Sequence, residues 1–234
     1  MKNITEKKIN IIKEMSIDRL CEKFKCTPEE ICFGDYIARE THDTVCPYKV
    51  ILGFANFEGS DVTSLGNLEV VLGKKLIDNF APFTNVYGEK IFLGVNFANS
   101  KIESTENLKK VYGSIRLNKK IKSLDKIKYL GSNLYTSGTD LEDFGDLQEI
   151  VGILSLDDFF GPCKIKSLNK IKRIGTLHIN TNSLKDFGDV EEISSIIIDP
   201  KHLNEMRNLI IRNFSKRDGK HRRKQLNNTV NNIM

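Results

Sequence analysis

The sequence lacks any long apolar run. No stretch approaches the roughly 18 consecutive apolar residues that a helix needs to cross a bilayer. The amino end also lacks the charged region, apolar core and small-residue cleavage site of a secretory signal. We therefore expect a protein without a membrane span, located in the cytoplasm.

Cysteines are few, with only 5 among 234 residues. An odd number without paired spacing argues against the disulfide framework of a small secreted protein. Three of the cysteines near the amino end (Cys26, Cys32 and Cys46), together with His42, are residue types that bind zinc, but they include no close Cys-x-x-Cys pair. The sequence favours small apolar cysteines in a helical segment and no metal or cofactor, although metal binding by these four stays open.

The common catalytic patterns are also missing. There is no Gly-rich phosphate loop, no pair of carboxylates on one helix and no nucleophile elbow. His42 lies beside Asp43, and His178 stands alone in a strand-like stretch, but no nucleophile pattern accompanies either histidine. We therefore expect a protein that is not an enzyme and has no small-molecule substrate.

The net charge of +5 belongs to one short segment. Between residues 216 and 224, six cations accompany one acid, Asp218, which gives +5 and leaves the rest of the chain neutral. The six cations are Lys216, Arg217, Lys220, Arg222, Arg223 and Lys224. The body of the protein thus has no global electrostatic attraction to nucleic acid. Residues 215–234, basic and then asparagine-rich, are expected to form a flexible tail.

The sequence does contain an internal repeat of about twenty residues, a period that indicates a solenoid. The clearest copies lie between Ile121 and Ile198, and each has apolar residues at i, i+3, i+6 and i+9. A glycine follows in three of these four copies, and then two apolar residues spaced by two, as in Gly175, Leu177 and Ile179. Weaker copies begin near residue 45 and include one over residues 77–93, which makes about eight rungs in all.

The spacing within a rung predicts its local structure. Two apolar residues spaced by two after the glycine predict a short strand with one face inward. Apolar residues spaced by three suit an irregular or 3₁₀-like arc on the opposite wall of the coil. The glycine between them is expected to allow a tight turn. One rung has too little core of its own, so each is expected to be stable only when stacked on its neighbours.

The two ends of the chain do not repeat. Residues 1–44 predict a helical amino-terminal cap, with a helix-turn-helix over residues 17–38 whose second helix starts at Thr27 and Pro28. That second helix carries acidic residues, which argues against DNA binding because a reading helix needs cations and amides. Residues 45–199 form the predicted solenoid. Apolar residues recur at helical spacing over residues 200–214 and predict a helix that closes its other end.

Three stretches carry a resemblance to a known family. Residues 64–73 (SLGNLEVVLG), 121–124 (IKSL) and 144–156 (FGDLQEIVGILSL) resemble the short leucine-rich-type repeats of bacterial and phage proteins, which are similar to the L domains of receptor ectodomains. The resemblance covers about residues 45–199 and implies an α+β leucine-rich-repeat-like solenoid with short parallel strands, a helical amino-terminal cap and a C-terminal helix. It departs from the common leucine-rich repeat, because the asparagine after the strand does not recur in register.

The strand residue between two inward positions must point outward. This reasoning predicts a partner-binding row on the strand face that consists of Phe92, Arg116, Tyr135, Ser155 and His178. Aromatic residues and arginine are enriched among interface hot spots, and solenoids commonly bind through such an extended face. We therefore expect a non-enzymatic protein-protein interaction module. Richness in Lys, Asn and Ile is typical of an AT-rich bacterial or phage genome, which suggests a protein that blocks or scaffolds a host complex.

An alternative function uses the basic tail. The six cations between Lys216 and Lys224 favour salt-sensitive and non-specific contact with phosphates. On this hypothesis the chain is a nucleic-acid-associated protein, for example a ribonucleoprotein component or inhibitor.

Overall fold

The computed structural model describes residues 2–75 and 92–215. Over these residues the chain winds into a parallel β-solenoid of about eight coils with three α-helices, which confirms the predicted repeat solenoid at that level. The helices are α1 (Lys2–Lys13), α2 (Ile17–Phe24) and α3 (Leu203–Ser215). Within the described ranges, none of them is both long and apolar enough to cross a membrane.

Within residues 2–75 and 92–215, fourteen strands form one sheet that follows the coils. They are β1 (Ile31–Cys32), β2 (Tyr36–Ile37), β3 (Val50–Ile51), β4 (Ala55–Asn56), β5 (Val70–Val71), β6 (Lys74–Lys75), β7 (Phe92–Asn96), β8 (Lys110–Val111), β9 (Ser114–Arg116), β10 (Tyr129–Leu130), β11 (Leu134–Tyr135), β12 (Glu149–Asp157), β13 (Arg173–Asn180) and β14 (Glu192–Ile198).

Each coil contributes to two parallel ladders. The first ladder joins β1, β3, β5, β8, β10 and the beginnings of β12, β13 and β14. The second ladder joins β2, β4, β7, β9, β11 and the later parts of the same three long strands. The sequence predicted only the second ladder. Where it predicted an arc, Leu130 instead pairs with Val111 and Ile150 in the first ladder. The sequence did not show this ladder, because a two-residue strand is too short for alternation of apolar and polar residues to appear.

Two of the predicted rungs belong to a single coil. β5 lies in the first ladder between β3 and β8, whereas β7 lies in the second ladder between β4 and β9. Together they complete one turn, interrupted where β6 and β7 pair antiparallel. Most of the rung predicted over residues 77–93 falls outside the described residues.

The remaining coil lies at the amino end, where a helix was predicted. Pro28–Glu30 forms only a 3₁₀ turn, and β1 and β2 follow it in the two ladders. The capping arrangement itself is present, because the Thr27 N–H donates to Glu30 Oε2 at 2.8 Å. The helix prediction was wrong because the apolar Ile31 and Tyr36 pair with the next coil instead of continuing a helix.

Each coil has two sides that belong to the ladders and a remaining side, here called the third wall. The inward side chains of both ladders and of the third wall form one continuous core. Phe144 and Phe187 are fully buried in it. Near the amino end, the ring of Phe57 stacks on that of Phe97 with centroids 5.5 Å apart, and Tyr36 meets Phe57 edge-on at 5.6 Å. The apolar side chains of each coil therefore pack against those of the next coil, as the repeat predicted.

A left-handed turn recurs on the third wall. The residues with positive φ at this turn are Gly66, Glu106, Asp125, Gly145, Asn169 and Gly188. In the coil around residue 123, the Asp125 N–H donates to Ser123 Oγ at 3.1 Å, and Ser123 Oγ donates to Asp143 Oδ1 of the next coil at 2.8 Å. The short side chains of this turn thus join neighbouring coils as well as shaping the chain.

A different glycine sits at the corner between the two ladders. A Cβ on Gly175 would overlap the carbonyl oxygen of Val151 in the preceding coil, and one on Gly113 would overlap the Gly94 nitrogen. Gly175 and Gly113 do not have positive φ. At these positions glycine is needed because adjacent coils touch there, whereas the sequence analysis expected it for turning the chain.

The two amino-terminal helices pack on an outer face of the solenoid. Ile9 and Ile12 of α1 and Leu20 of α2 form a second cluster with Val50 and Val70, on the outer face of the first ladder. The Lys13 ammonium lies 3.4 Å from the Gly73 carbonyl oxygen, the Lys8 ammonium lies 5.8 Å from the ring centre of Tyr129, and α1 also contacts β12. Helix α1 therefore runs along the solenoid, across several coils.

The carboxyl end of the core is covered by α3. Met206, Leu209 and Ile210 are buried and belong to the main core together with Ile196 and Ile198 of the last strand. The predicted C-terminal helix is confirmed. Its apolar stripe lies where the last coil would otherwise expose its inward row.

Candidate protein-binding surface

The outward side chains of the second ladder form one row along the solenoid, here called the outward row. Strand register places its members side by side in the order Ile37, Asn56, Asn96, Arg116, Tyr135, Ser155, His178 and Ile197. Neighbouring members are one strand spacing apart, about 4.8 Å. A partner lying along the row would meet its exposed and half-buried members, whereas Asn96 and Ser155 are buried between their neighbours.

Asn96 occupies the place that the sequence analysis gave to Phe92. Asn96 pairs with Arg116, whereas Phe92 pairs antiparallel with Lys75, away from the second ladder. The error arose because the glycine rule fits this stretch twice, with Gly88 before Ile91 and Leu93 and with Gly94 before Val95 and Phe97. The buried Val95 and Phe97 show that the second fit is the one the fold uses.

The other four predicted residues do lie in the row, with unequal exposure. Arg116 is exposed, and Tyr135 and His178 are half-buried. Ser155 is only 4% exposed, so it supplies a polar atom to its neighbours more than a contact area. At the far end Ile197 is 47% exposed and adds an apolar contact that the prediction left out of its binding set.

The amino-terminal part of the row is tied together by amide groups. Asn96 Nδ2 donates to Asn56 Oδ1 at 3.1 Å and to Glu58 Oε2 at 2.9 Å. Asn96 Oδ1 accepts from the Ala98 N–H at 3.0 Å, and Asn56 Oδ1 accepts from the Glu58 N–H at 3.1 Å. These bonds fix the side chains before any partner arrives. An asparagine therefore occupies the outward row in two adjacent coils.

A second polar network holds the carboxyl-terminal part. Ser155 Oγ lies 3.1 Å from His178 Nδ1 and donates to Asp157 Oδ2 at 3.0 Å. Because the single hydroxyl proton is directed at Asp157, His178 Nδ1 is left to donate to Ser155. Desolvation by burial lowers the pKa of His178 below its ordinary value, and the nearby Asp157 and Asp199 oppose this shift.

The lowered pKa predicts a pH dependence. Because His178 holds a proton less readily when folded, the unfolded chain takes up protons first as the pH falls. Stability from this group is complete above the ordinary pKa of 6.5 and is lost as the pH falls from 6.5 through the folded-state pKa. We expect the NMR signal of the His178 ring to titrate with a midpoint below 6.5 and to be missing in His178→Gln. A midpoint at or above 6.5 would mean that Asp157 and Asp199 outweigh burial.

A loop beside the outward row carries two exposed aromatic side chains that the sequence analysis passed over. It follows β12 directly, and its Phe159 and Phe160 are 78% and 74% exposed. Asp157, which accepts from Ser155 of the row, begins this loop. The available signal was an adjacent pair of phenylalanines between two aspartates and a Gly-Pro turn, inside the longer connection over residues 157–164.

The four residues considered for zinc do not come together. Cys46 is buried in the main core, whereas Cys26 packs against the separate cluster under α1 and α2. Burial raises the pKa of the Cys46 thiol to about 12, and burial likewise raises the pKa of Cys26, which keeps both thiols protonated. Among residues 2–75 and 92–215, no group of three or more His, Cys, Asp or Glu is placed to hold a metal ion.

The six cations of the alternative nucleic-acid site, from Lys216 to Lys224, lie outside the described residues.

Comparison with known proteins adds no identity: no family model, curated protein or solved structure matches the chain. The functional argument therefore depends on the geometry of the outward row and of the loop beside it.

Proposed function

We propose that this protein is a non-enzymatic protein-protein interaction module that docks through the outward row. The observation that supports this most is the alignment of Arg116, Tyr135, His178 and Ile197 on four of five successive coils of one parallel ladder. Eight strands spaced by about 4.8 Å give a row about 34 Å long. That length suits an interface of standard size, with about 800 Å² buried on each partner.

Two further features favour binding by a protein surface. The row is preorganised, since its amides and the Ser155–Asp157 pair are already hydrogen-bonded, and preorganisation lowers the entropy cost of association. Its composition also changes along its length, from amides through an arginine and a tyrosine to an isoleucine. Such a mixture fits a partner protein better than a uniformly charged ligand.

Two finer parts of the hypothesis also belong to this proposal. We place the chain with leucine-rich-repeat-like and L-domain-like solenoids of bacterial or phage proteins, on the strength of the stretches at residues 64–73, 121–124 and 144–156. We further propose a host complex that the protein blocks or scaffolds as the partner. Parallel stacking of coils supports the first part, and the second depends on amino-acid usage alone.

A site-specific crosslinking experiment tests the docking face. A photoreactive phenylalanine analogue placed at Tyr135 should give a discrete protein adduct in lysate of the source cells, because the side chain lies in the centre of the row. The matched control places the same analogue at Lys122, an exposed residue on the third wall. We expect the adduct from position 135 only, and we expect it to survive nuclease treatment and deletion of residues 215–234.

Two results would contradict this proposal. Equal adducts from positions 135 and 122 would mean that the row has no special role. An adduct that disappears with nuclease, or with the tail deleted, would favour the alternative function in nucleic-acid association through the basic segment.

A further inference from the structure

The aromatic pair Phe159 and Phe160 is the most exposed apolar feature in the part of the chain that the structure describes. Their exposed fractions are 78% and 74%, while the next most exposed large apolar side chain in that part, Phe33, reaches 53%. The two rings contact each other edge to face, with centroids 5.0 Å apart and planes at 76°. One ring therefore offers an open face beside the edge of the other.

The backbone beneath the pair is held in place. The Phe159 N–H donates to Asp157 Oδ1 at 3.2 Å, and the Phe160 N–H donates to Ser137 Oγ of the preceding coil at 3.0 Å. Asp158 Oδ1 accepts from the Cys163 N–H at 2.6 Å, and Cys163 is buried. The rings are therefore carried by a loop anchored at both ends. A loop whose backbone is already held loses less entropy when it binds.

The two residues that precede the pair are acidic. Asp157 and Asp158 directly precede the rings. In the described part of the chain, neither carboxylate forms a salt bridge with another residue of the loop. Lys164, at the end of the loop, instead pairs with Asp140 at 2.7 Å, and that ion pair is neutral as a unit. The rings thus lie beside two carboxylates whose charge the loop does not balance. An aromatic face next to a carboxylate suits a cationic side chain, and arginine in particular can stack on one and pair with the other.

We propose that the Phe159–Phe160 loop is the anchor of the docking surface and binds a partner segment that presents an arginine beside an apolar side chain. This inference deepens the proposed function and depends on it. The apolar side chain would cover one phenylalanine, and the guanidinium would lie on the other ring within reach of Asp157 or Asp158. Because Asp157 also accepts from Ser155, the anchor is continuous with the outward row.

A membrane surface is the main competing occupant of an exposed phenylalanine pair. Anionic headgroups would be repelled by Asp157 and Asp158, so the charge favours a cationic protein segment over an anionic bilayer. A second copy of the chain is another occupant. Both are distinguished by the experiment that follows.

The test uses a displayed library of random peptides, selected on the full-length protein alone and then measured on Phe159→Ser/Phe160→Ser. We expect peptides with an arginine next to an aliphatic or aromatic residue. Their affinity should fall at least about tenfold on the double variant, and by a similar factor when that arginine is replaced by its neutral isostere citrulline. Phe33→Ser is the matched control, because it removes another exposed phenylalanine and should leave affinity unchanged.

Each other outcome overturns the inference. Peptides without a cationic residue, no enrichment at all, or equal loss on Phe33→Ser would show that the loop is not such an anchor. Sedimentation of the wild type with neutral or anionic vesicles, lost in the double variant, would assign the pair to membranes. A concentration-dependent dimer lost in that variant would assign it to self-association. Peptides that bind with Phe159 and Phe160 replaced but require Tyr135 would leave the proposed function standing without this anchor.

Discussion

Replacing Gly175 by alanine is expected to lower the free energy of unfolding by about 3 kcal/mol, at the upper end of the usual cost of overpacking. The added methyl would overlap the Val151 carbonyl oxygen and would lie 2.7 Å from that of Gly152. Both neighbours are backbone atoms, so no side-chain rotation relieves the contact. The neighbouring strands β12 and β13 would have to separate at this corner, and the hydrogen bonds between them would lengthen.

The same substitution in the first coil provides the control for Gly175→Ala. Gly34 has no positive φ, and nothing lies within 4 Å of the position of its added Cβ. Gly34→Ala should therefore leave stability unchanged or raise it by up to about 1 kcal/mol, because alanine restricts the unfolded chain. Urea denaturation followed by circular dichroism measures both variants. Equal midpoints for the two would show that the corner of the solenoid tolerates a Cβ.

Phe144→Ala is expected to cost about 3–5 kcal/mol, the usual range for removing a fully buried phenylalanine. The ring is completely buried in the main core, so its loss leaves a cavity that rigid ladders on two sides cannot close. A domain of this kind has a total stability of about 5–15 kcal/mol. We therefore expect a markedly lower urea midpoint and a loss of the folded baseline at modest temperature.

Phe159→Ala serves as the matched substitution for Phe144→Ala. Its side chain is mostly exposed, so unfolding should change by no more than about 0.5 kcal/mol. A similar loss of stability in both variants would contradict the placement of Phe159 outside the core. The comparison also shows that changes at the exposed pair alter binding without unfolding the protein.

The repeat could be predicted from the sequence because the positions that carry apolar residues are the positions that are buried in the core. The residues predicted to point inward after the corner glycine, such as Leu134, Leu177 and Ile179, are buried. The C-terminal helix was readable for the same reason, since Met206, Leu209 and Ile210 follow a helical period. In both cases burial on one face imposes a pattern that one sequence can show.

The errors have a common physical cause, which is that spacing does not tell which strand a segment pairs with. The chain between β5 and β7 fits the repeat rule, but ladder pairing assigns those two strands to one coil and so moves Phe92 out of the outward row. Ile31 and Tyr36 follow a good helix start, yet pairing with β3 and β4 decides their structure. The exposure of Phe159 was equally unreadable, since a phenylalanine in a loop looks the same whether it is covered or not.

The position of α1 has a consequence for synthesis of the chain. A solenoid whose coils touch only their neighbours could form one coil at a time as it leaves the ribosome. Helix α1 packs on Val50 and Val70 of the early coils, but the surface along which it lies extends to β12, which begins at Glu149. The helix can therefore dock on the early coils first, and it completes its contacts only after β12 has been synthesised. Its docking would couple those early coils to a strand in the middle of the solenoid.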